Sequence, residues 1–259
     1  MIKDKDKFIL ENKVYKSRLI MGTSLFPNQK ILEKSLMESG TEIITVAIRR
    51  VDLNSKFNIF ELLKNKYTFL PNTAGCYSSK EAILTAELAR ESLETNLLKL
   101  ELIADEKTLL PDSVELIHTA RLLIKNNFKV LAYCSDDPII CKKLEDVGCT
   151  AVMPLISPIG SGLGVRNEHN LNLIREFCKC LVIVDAGIGR PSDAAKVMEL
   201  GFDAVLLNSA VARSMDPIKM SKAMKLAVQA GRDGYTAGII EKNRYAKRST
   251  EFVGKISNF

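Results

Sequence analysis

Short apolar runs, many rich in β-branched residues, recur along the chain, and amphipathic stretches separate them. The runs fall at 18–23, 42–48, 68–74, 96–103, 129–135, 151–157, 181–187 and 204–210. Each reads as a strand, and cores such as Leu181-Val-Ile-Val read as buried on both faces. The intervening stretches carry helix signals. Ser79 is placed to cap a helix to about Leu93, with Ala82, Ala86, Ala89 and Leu93 at helical spacing. Pro111-Asp112-Ser113, Asp136-Asp137-Pro138, Asn167, Pro191-Ser192-Asp193 and Asp216-Pro217 open others. The last two are expected to end at Gly201 and Gly231. Segment 52–66 is less regular and suggests only a short helix around 59–63, and 7–15 alternates weakly about Glu11-Asn12-Lys13 as a short hairpin.

Eight strands alternating with helices predict one parallel α/β domain. A (β/α)8 barrel of the TIM type fits the count and the 259-residue length. A doubly wound open sheet also satisfies the periodicity. The expected layout is a single barrel domain over 1–259, with an N-terminal hairpin in 1–17 and a basic C-terminal tail in 232–259.

The run at 96–103 changes this picture from architecture to chemistry. Leu98, Leu100 and Leu102 alternate with Lys99 and Glu101. Successive strand side chains point to opposite faces, so in a barrel the leucines meet helices and the ionisable pair points inward. Burying two ions costs several kcal/mol each unless they are paired or used. Burial lowers the basicity of a lysine while a nearby carboxylate raises it, and a partly neutral lysine attacks carbonyls to form an imine. The alternative is a Lys99–Glu101 ion pair with a purely structural role. Asp185 follows a β-branched run at a strand end, as a candidate acid or base or as a loop-bonding carboxylate.

Three loops suited to anions follow the sixth, seventh and eighth runs: Pro158-Ile-Gly160-Ser161-Gly162-Leu163-Gly164, Asp185-Ala186-Gly187-Ile188-Gly189-Arg190, and Asn208-Ser209-Ala210. Loops after the last barrel strands often bind phosphate. Taken alone, each has a plainer reading, as a turn or, for Asn208-Ser209, a helix cap. Arg49-Arg50 and Asn72-Thr73 end the second and third runs and could line the same mouth. The residues together point to an imine-forming lysine with carboxylate partners acting on a phosphorylated carbonyl compound. A class I aldolase and a non-catalytic phosphometabolite-binding barrel fit as well.

Composition narrows the partners. The chain is 46% hydrophobic and 26% charged, ordinary globular values, with 37 basic and 31 acidic residues for a net charge of +6. Basic residues gather at Lys242, Arg244, Lys247, Arg248 and Lys255 as a solvated tail or a contact for an acidic partner or a phosphate, and no known nucleic-acid motif appears, so no nucleic-acid role is expected. No run approaches the ~20 apolar residues of a membrane span, so no membrane association is expected. The charged start Met1-Ile-Lys-Asp-Lys-Asp-Lys lacks the apolar core of a signal peptide. The six cysteines then read as reduced thiols in a cytoplasm-like compartment. Cys178-Lys-Cys180 lacks a second ligand pair, so no metal is expected.

In order, the segments Val46-Ala-Ile-Arg-Arg-Val-Asp-Leu53, Leu70-Pro-Asn-Thr-Ala-Gly75, Leu98-Lys-Leu-Glu101, Leu109-Leu-Pro-Asp112, Val152-Met-Pro-Leu155, Pro158-Ile-Gly-Ser-Gly-Leu-Gly164, Val184-Asp-Ala-Gly-Ile-Gly189 and Asp203-Ala-Val-Leu-Leu-Asn-Ser209 resemble the thiazole synthases of bacterial and plastid thiamine biosynthesis. The resemblance implies a (β/α)8 barrel acting on 1-deoxy-D-xylulose 5-phosphate. Lys99 would form the imine, and Glu101 and Asp185 would move protons. Gly160, Ala186, Gly187, Asn208 and Ser209 would hold the phosphate. Sulfur would come from the C-terminal thiocarboxylate of a ubiquitin-like carrier protein, and dehydroglycine would supply the remaining carbon and nitrogen. It also implies no bound cofactor, a homo-oligomer, and a cytoplasmic location (the stroma for a plastid-encoded gene). The tail departs from the resemblance: small residues and a Ser-Pro pair are expected where this chain has Ala246-Lys-Arg-Ser-Thr-Glu-Phe252. No tail role is carried over.

Overall fold

The structure is a computed structural model that describes residues 6–48 and 63–249. The expected helix around 59–63, Arg49-Arg50 and the end of the basic tail lie wholly or largely outside the described residues.

The chain opens with a hairpin of β1 (Phe8–Leu10) and β2 (Lys13–Tyr15). Glu11 and Asn12 join them with φ of 47° and 63°, the left-handed pair that matches strand twist in a two-residue turn. Eight parallel strands follow and close on themselves: β3 (Leu19–Gly22), β4 (Ile43–Ala47), β5 (Thr68–Asn72), β6 (Leu97–Leu100), β7 (Lys129–Cys134), β8 (Ala151–Pro154), β9 (Leu181–Asp185) and β10 (Ala204–Leu207). Pairing of β10 with β3 seals the barrel, with Val205 opposite Leu19. The open-sheet alternative is thereby removed.

Around the barrel lie α1 (Gln29–Ser39), α2 (Ser79–Leu93), α3 (Ser113–Lys125), α4 (Pro138–Asp146), α5 (Glu168–Phe177), α6 (Pro191–Glu199), α7 (Ser209–Ala212) and α8 (Pro217–Ala237). Their starts follow cap chemistry. Asp112, Asp137, Asn167 and Asp216 each accept backbone N–H bonds through the side chain. Two expectations are corrected. The cap of α2 is Ser78, not Ser79, because Ser78 keeps the extended backbone a cap requires and accepts from Glu81 N. Helix α8 runs through Gly231 to Ala237. A Cβ at Gly231 would lie 2.3 Å from the Ala195 carbonyl oxygen, so this glycine lets α8 press on α6 and does not end the helix.

Strand alternation sorts the core into two layers. Leu98, Leu100 and Leu102 pack outward among Ala82, Ala86, Leu116, Ala120 and Leu123 of the helices. Inside, Ile20, Ile43, Leu70, Leu131, Met153, Ile183 and Leu206 cluster with Phe8, Leu10 and Tyr15. The hairpin therefore plugs the N-terminal mouth, where it supplies apolar filling that the short inner strand faces lack. At its base Arg18 pairs with Asp6 at 2.6 Å and donates to the Asp203 carbonyl at 2.6 Å, while Arg232 of α8 also pairs with Asp6. With one mouth plugged by apolar side chains, polar inward positions collect at the other.

Candidate active site

On β6 the inward positions are Leu97 and Lys99, and Glu101 lies just past the strand end. The strand stops short of the expected 103 because the Thr73 hydroxyl takes over the pairing. It accepts from the Glu101 N–H and donates to the Glu101 carbonyl, both at 2.7 Å. That clamp fixes the backbone of Glu101 beside Lys99. Asp185 enters from the last residue of β9. Lys99 Nζ lies 3.0 Å from Glu101 Oε1 and 2.5 Å from Asp185 Oδ2. All three side chains are buried at 6–7% exposure, so their charges meet in low dielectric.

The electrostatics decide a balance that the sequence leaves open. Burial pulls Lys99 toward its neutral form, but the facing Asp185 and Glu101 carboxylates outweigh burial and hold the ammonium above the ordinary lysine range. The resting lysine is therefore charged, not partly neutral. Asp185 is raised, chiefly by burial, with Lys99 opposing and Glu101 adding to the rise. The proton shared across 2.5 Å thus has an acceptor of raised basicity at hand. Behind Lys99 the Tyr133 ring centroid lies 5.7 Å from Nζ, and the Tyr133 hydroxyl donates to the Leu109 carbonyl at 3.3 Å.

Above this floor opens a cavity of about 770 Å³. Lys99, Glu101, Asp185, Gly160, Ala186, Gly187, Asn208 and Ser209 all line it, so the fold brings the three candidate catalytic residues and the five candidate phosphate positions to one cavity. The glycine loops meet backbone to backbone. The Gly164 N–H donates to the Gly187 carbonyl at 2.9 Å, and the Ile156 N–H to the Ala186 carbonyl at 3.3 Å. Ala186 holds a left-handed φ of 61°, an unfavourable setting for a residue with a Cβ. It follows Asp185 directly, so the strained turn sets the backbone at the point from which the acid projects. A Cβ at Gly189 would come within 2.4 Å of the Gly162 carbonyl oxygen and 2.8 Å of its Cα. Because backbone cannot step aside as a side chain can, Gly189→Ala is expected to cost about 1–3 kcal/mol. Thermal unfolding measures this, and an unchanged midpoint would show that the loops part freely.

Asn208 precedes α7 but makes no capping bond, and its buried Oδ1 has no partner among the described residues. The helix-cap reading is therefore not what the side chain does. Its room is made by Gly22 at the end of β3, where a Cβ would fall 2.6 Å from Asn208 Cβ. Asn72 lines the cavity, whereas Thr73 is buried in the clamp described above. Gly22, Tyr133 and Arg213 were not assigned to the site from sequence, and Thr73, expected at the mouth, acts instead through its clamp on Glu101. The parity of β7 places Tyr133 inward, and Arg213 follows Ser209 by one helical turn, so both had a signal in spacing.

A closed parallel barrel with an ion-paired lysine and two carboxylates under glycine-rich loops at the strand C-termini has the layout of a barrel enzyme. Residues 9–251 match the family described as Thiazole biosynthesis protein ThiG. The chain is 52% identical over 254 residues to the thiazole synthase of Geobacter sulfurreducens, a match covering 97% of this chain and 98% of that one. It is 51% identical over 256 residues to the thiazole synthase of Geotalea uraniireducens, covering 98% of each. Among solved structures, the Amycolatopsis orientalis BexX/CysO complex superposes with a TM-score of 0.84 at 25% identity, over 93% of this chain and 100% of that chain. The chain belongs to the thiazole synthase family of thiamine biosynthesis.

Proposed function

We propose that the chain, working as one barrel unit, builds thiazole phosphate from 1-deoxy-D-xylulose 5-phosphate, dehydroglycine and carrier-borne sulfur, through an imine on Lys99. The observation that carries this reading is the buried Lys99–Glu101–Asp185 cluster at the cavity floor in a thiazole synthase.

Lys99 first passes its proton to a carboxylate, with Asp185 at 2.5 Å the nearer. The free amine adds to the substrate ketone, and loss of water gives a protonated imine. The imine acidifies the neighbouring C–H, and Glu101 or Asp185 removes that proton and returns it elsewhere, which moves the carbonyl along the sugar. Thiocarboxylate sulfur attacks the new carbonyl carbon. The carrier's acyl group passes from sulfur to the carbonyl oxygen and leaves with it as the carrier's C-terminal carboxylate, so the acyl–sulfur bond breaks and sulfur stays on the sugar. The dehydroglycine nitrogen then displaces the Lys99 amine, and ring closure by sulfur with loss of water completes the heterocycle. Gly160, Ala186, Gly187, Asn208 and Ser209 hold the phosphate, so binding at the far end positions the reacting carbons.

The sulfur donor in this reading is a ubiquitin-like protein carrying a C-terminal thiocarboxylate. The solved relative captured as a BexX/CysO complex supports a protein partner. The family likeness supports a homo-oligomer in the cytoplasm, with no resident cofactor. Among the described residues no helix is long and apolar enough to cross a membrane.

Borohydride reduction in the presence of 1-deoxy-D-xylulose 5-phosphate tests the imine. The expected result is a covalent adduct in the intact mass, mapped to the peptide bearing Lys99. An intact mass that borohydride leaves unchanged rejects the imine.

A further inference from the structure

We infer that Arg213 is a further substrate-binding residue, its guanidinium giving the phosphate a direct charged contact beside Gly160 and Ser209. The inference rests on the sugar-phosphate reading above.

The first ground is charge. At the cavity floor one ammonium faces two carboxylates, so the floor is at best neutral even with Asp185 protonated. A phosphate monoester brings a charge of about −1.5 to −2 at neutral pH. The glycine loops offer backbone N–H dipoles, which are partial charges. Among the described residues the cations lining the cavity are Lys99, Arg190 and Arg213. Lys99 is already committed to its carboxylates.

Position separates the other two. A Cβ built on Gly160 would lie 3.4 Å from Arg213 Nη1 and 3.8 Å from Ser209 Oγ. One point on the Gly160 loop is thus within contact range of both the guanidinium and the serine hydroxyl. The Arg190 side chain is not among the atoms nearest that point. Arg213 caps the C-terminal end of α7, and its backbone N–H donates to the Ser209 carbonyl at 3.0 Å. The short helix therefore sets arginine and serine one turn apart on the side facing Gly160.

The second ground is that the guanidinium is unspent. Among the described residues the Arg213 side chain has no hydrogen bond, ion pair or ring contact. Other arginines of the structure are engaged: Arg18 and Arg232 with Asp6, and Arg175 with Asp203. A planar fork of donors left open at the rim of a glycine-lined cavity matches the oxygens of a phosphate, which it can bind in bidentate fashion. The contact is remote from the imine carbon, so it acts in binding and leaves the chemical steps to Lys99, Glu101 and Asp185.

The test uses the full chain, with inorganic phosphate as the probe, titrated calorimetrically into wild type, Arg213→Gln and Arg213→Lys. Arg213→Gln is expected to weaken phosphate binding about tenfold. Arg213→Lys keeps the charge without the fork and is expected to recover part of the loss. Wild-type binding is expected to weaken with salt more steeply than binding to Arg213→Gln. For turnover, Arg213→Gln raises KM for the sugar phosphate and leaves kcat within about twofold. Unchanged phosphate affinity in Arg213→Gln, or no phosphate binding to wild type at all, overturns the inference. Borohydride trapping on the same wild-type sample keeps the two readings apart. Phosphate binding that depends on Arg213 with no trapped adduct rejects the imine alone, and a trapped adduct with Arg213-independent binding rejects the arginine contact alone.

Discussion

A Lys99→Ala variant is expected to give no borohydride adduct, no thiazole formation, and a fold whose stability falls as pH rises. The chemical half follows from the proposed imine, because alanine offers no nitrogen for the substrate carbonyl. The stability half follows from what remains. Glu101 and Asp185 lie 3.0 Å and 2.5 Å from the lysine nitrogen and are buried with it. Removing the cation leaves two facing carboxylates in low dielectric, and breaking a buried pair in this way costs about 3–5 kcal/mol at neutral pH. The folded chain escapes part of that cost by binding protons. Burial already raises the Asp185 carboxyl with Lys99 opposing, so loss of Lys99 raises it further. The folded state then holds more protons than the unfolded chain above the ordinary carboxylate value of about 4, and stability declines with rising pH across that window. Thermal midpoints of wild type and variant should thus lie close near pH 4 and diverge toward about pH 8. Lys99→Met, which keeps most of the volume, should show the same pH dependence with a smaller offset from the lost packing. A pH-independent gap in both variants would mean that the carboxylates are not coupled to the lysine. Full thiazole formation by Lys99→Ala would reject the proposed mechanism.

Much of this site was legible because a barrel strand has only two faces. Leu98, Leu100 and Leu102 needed helices to pack on, and once they had them Lys99 and Glu101 had nowhere to point but inward. The same rule placed Asp185 at the mouth, since Val182 and Val184 face the outer layer. What periodicity could not show is how distant segments meet. Gly231 looks like a helix stop in one dimension, and only the approach of Ala195 shows it to be a packing glycine. Glu101 is aimed by a hydroxyl at the end of the neighbouring strand, 28 residues earlier in the chain, and no local pattern announces the Thr73 clamp. The charge state of Lys99 escaped for the same reason. Burial and carboxylates oppose each other, and the outcome depended on a second carboxylate arriving from β9 at 2.5 Å. Arg213 sat in plain view one turn past Ser209, but an exposed arginine gains meaning only when Gly160 is brought beside it.

Asp185→Asn is expected to move two observables in opposite directions. Turnover should fall by roughly 10²–10⁴-fold if Asp185 carries a proton in the rate-limiting transfer. Imine formation, in contrast, should extend to lower pH. Burial is the largest influence on Lys99 and lowers its basicity, while Asp185 is the stronger of the two carboxylates that raise it. Asparagine keeps the shape but not the charge, so burial then works against Glu101 alone. The ammonium of the variant gives up its proton more readily, and free amine is present at lower pH than in wild type. Single-turnover trapping across a pH series reads this as an alkaline limb displaced toward neutral pH, while steady-state thiazole formation is depressed throughout. Glu101→Gln should displace the limb in the same direction by less, since Glu101 is the weaker of the two influences. The contrast between the variants assigns the proton transfers. If Asp185→Asn slows trapping and turnover equally, Asp185 is the base that unmasks the amine. If trapping persists and turnover collapses, its proton moves after the imine has formed. Near-wild-type turnover in Asp185→Asn would leave the carboxylate with only a structural partnership to Lys99, and the proton shuttle would fall to Glu101.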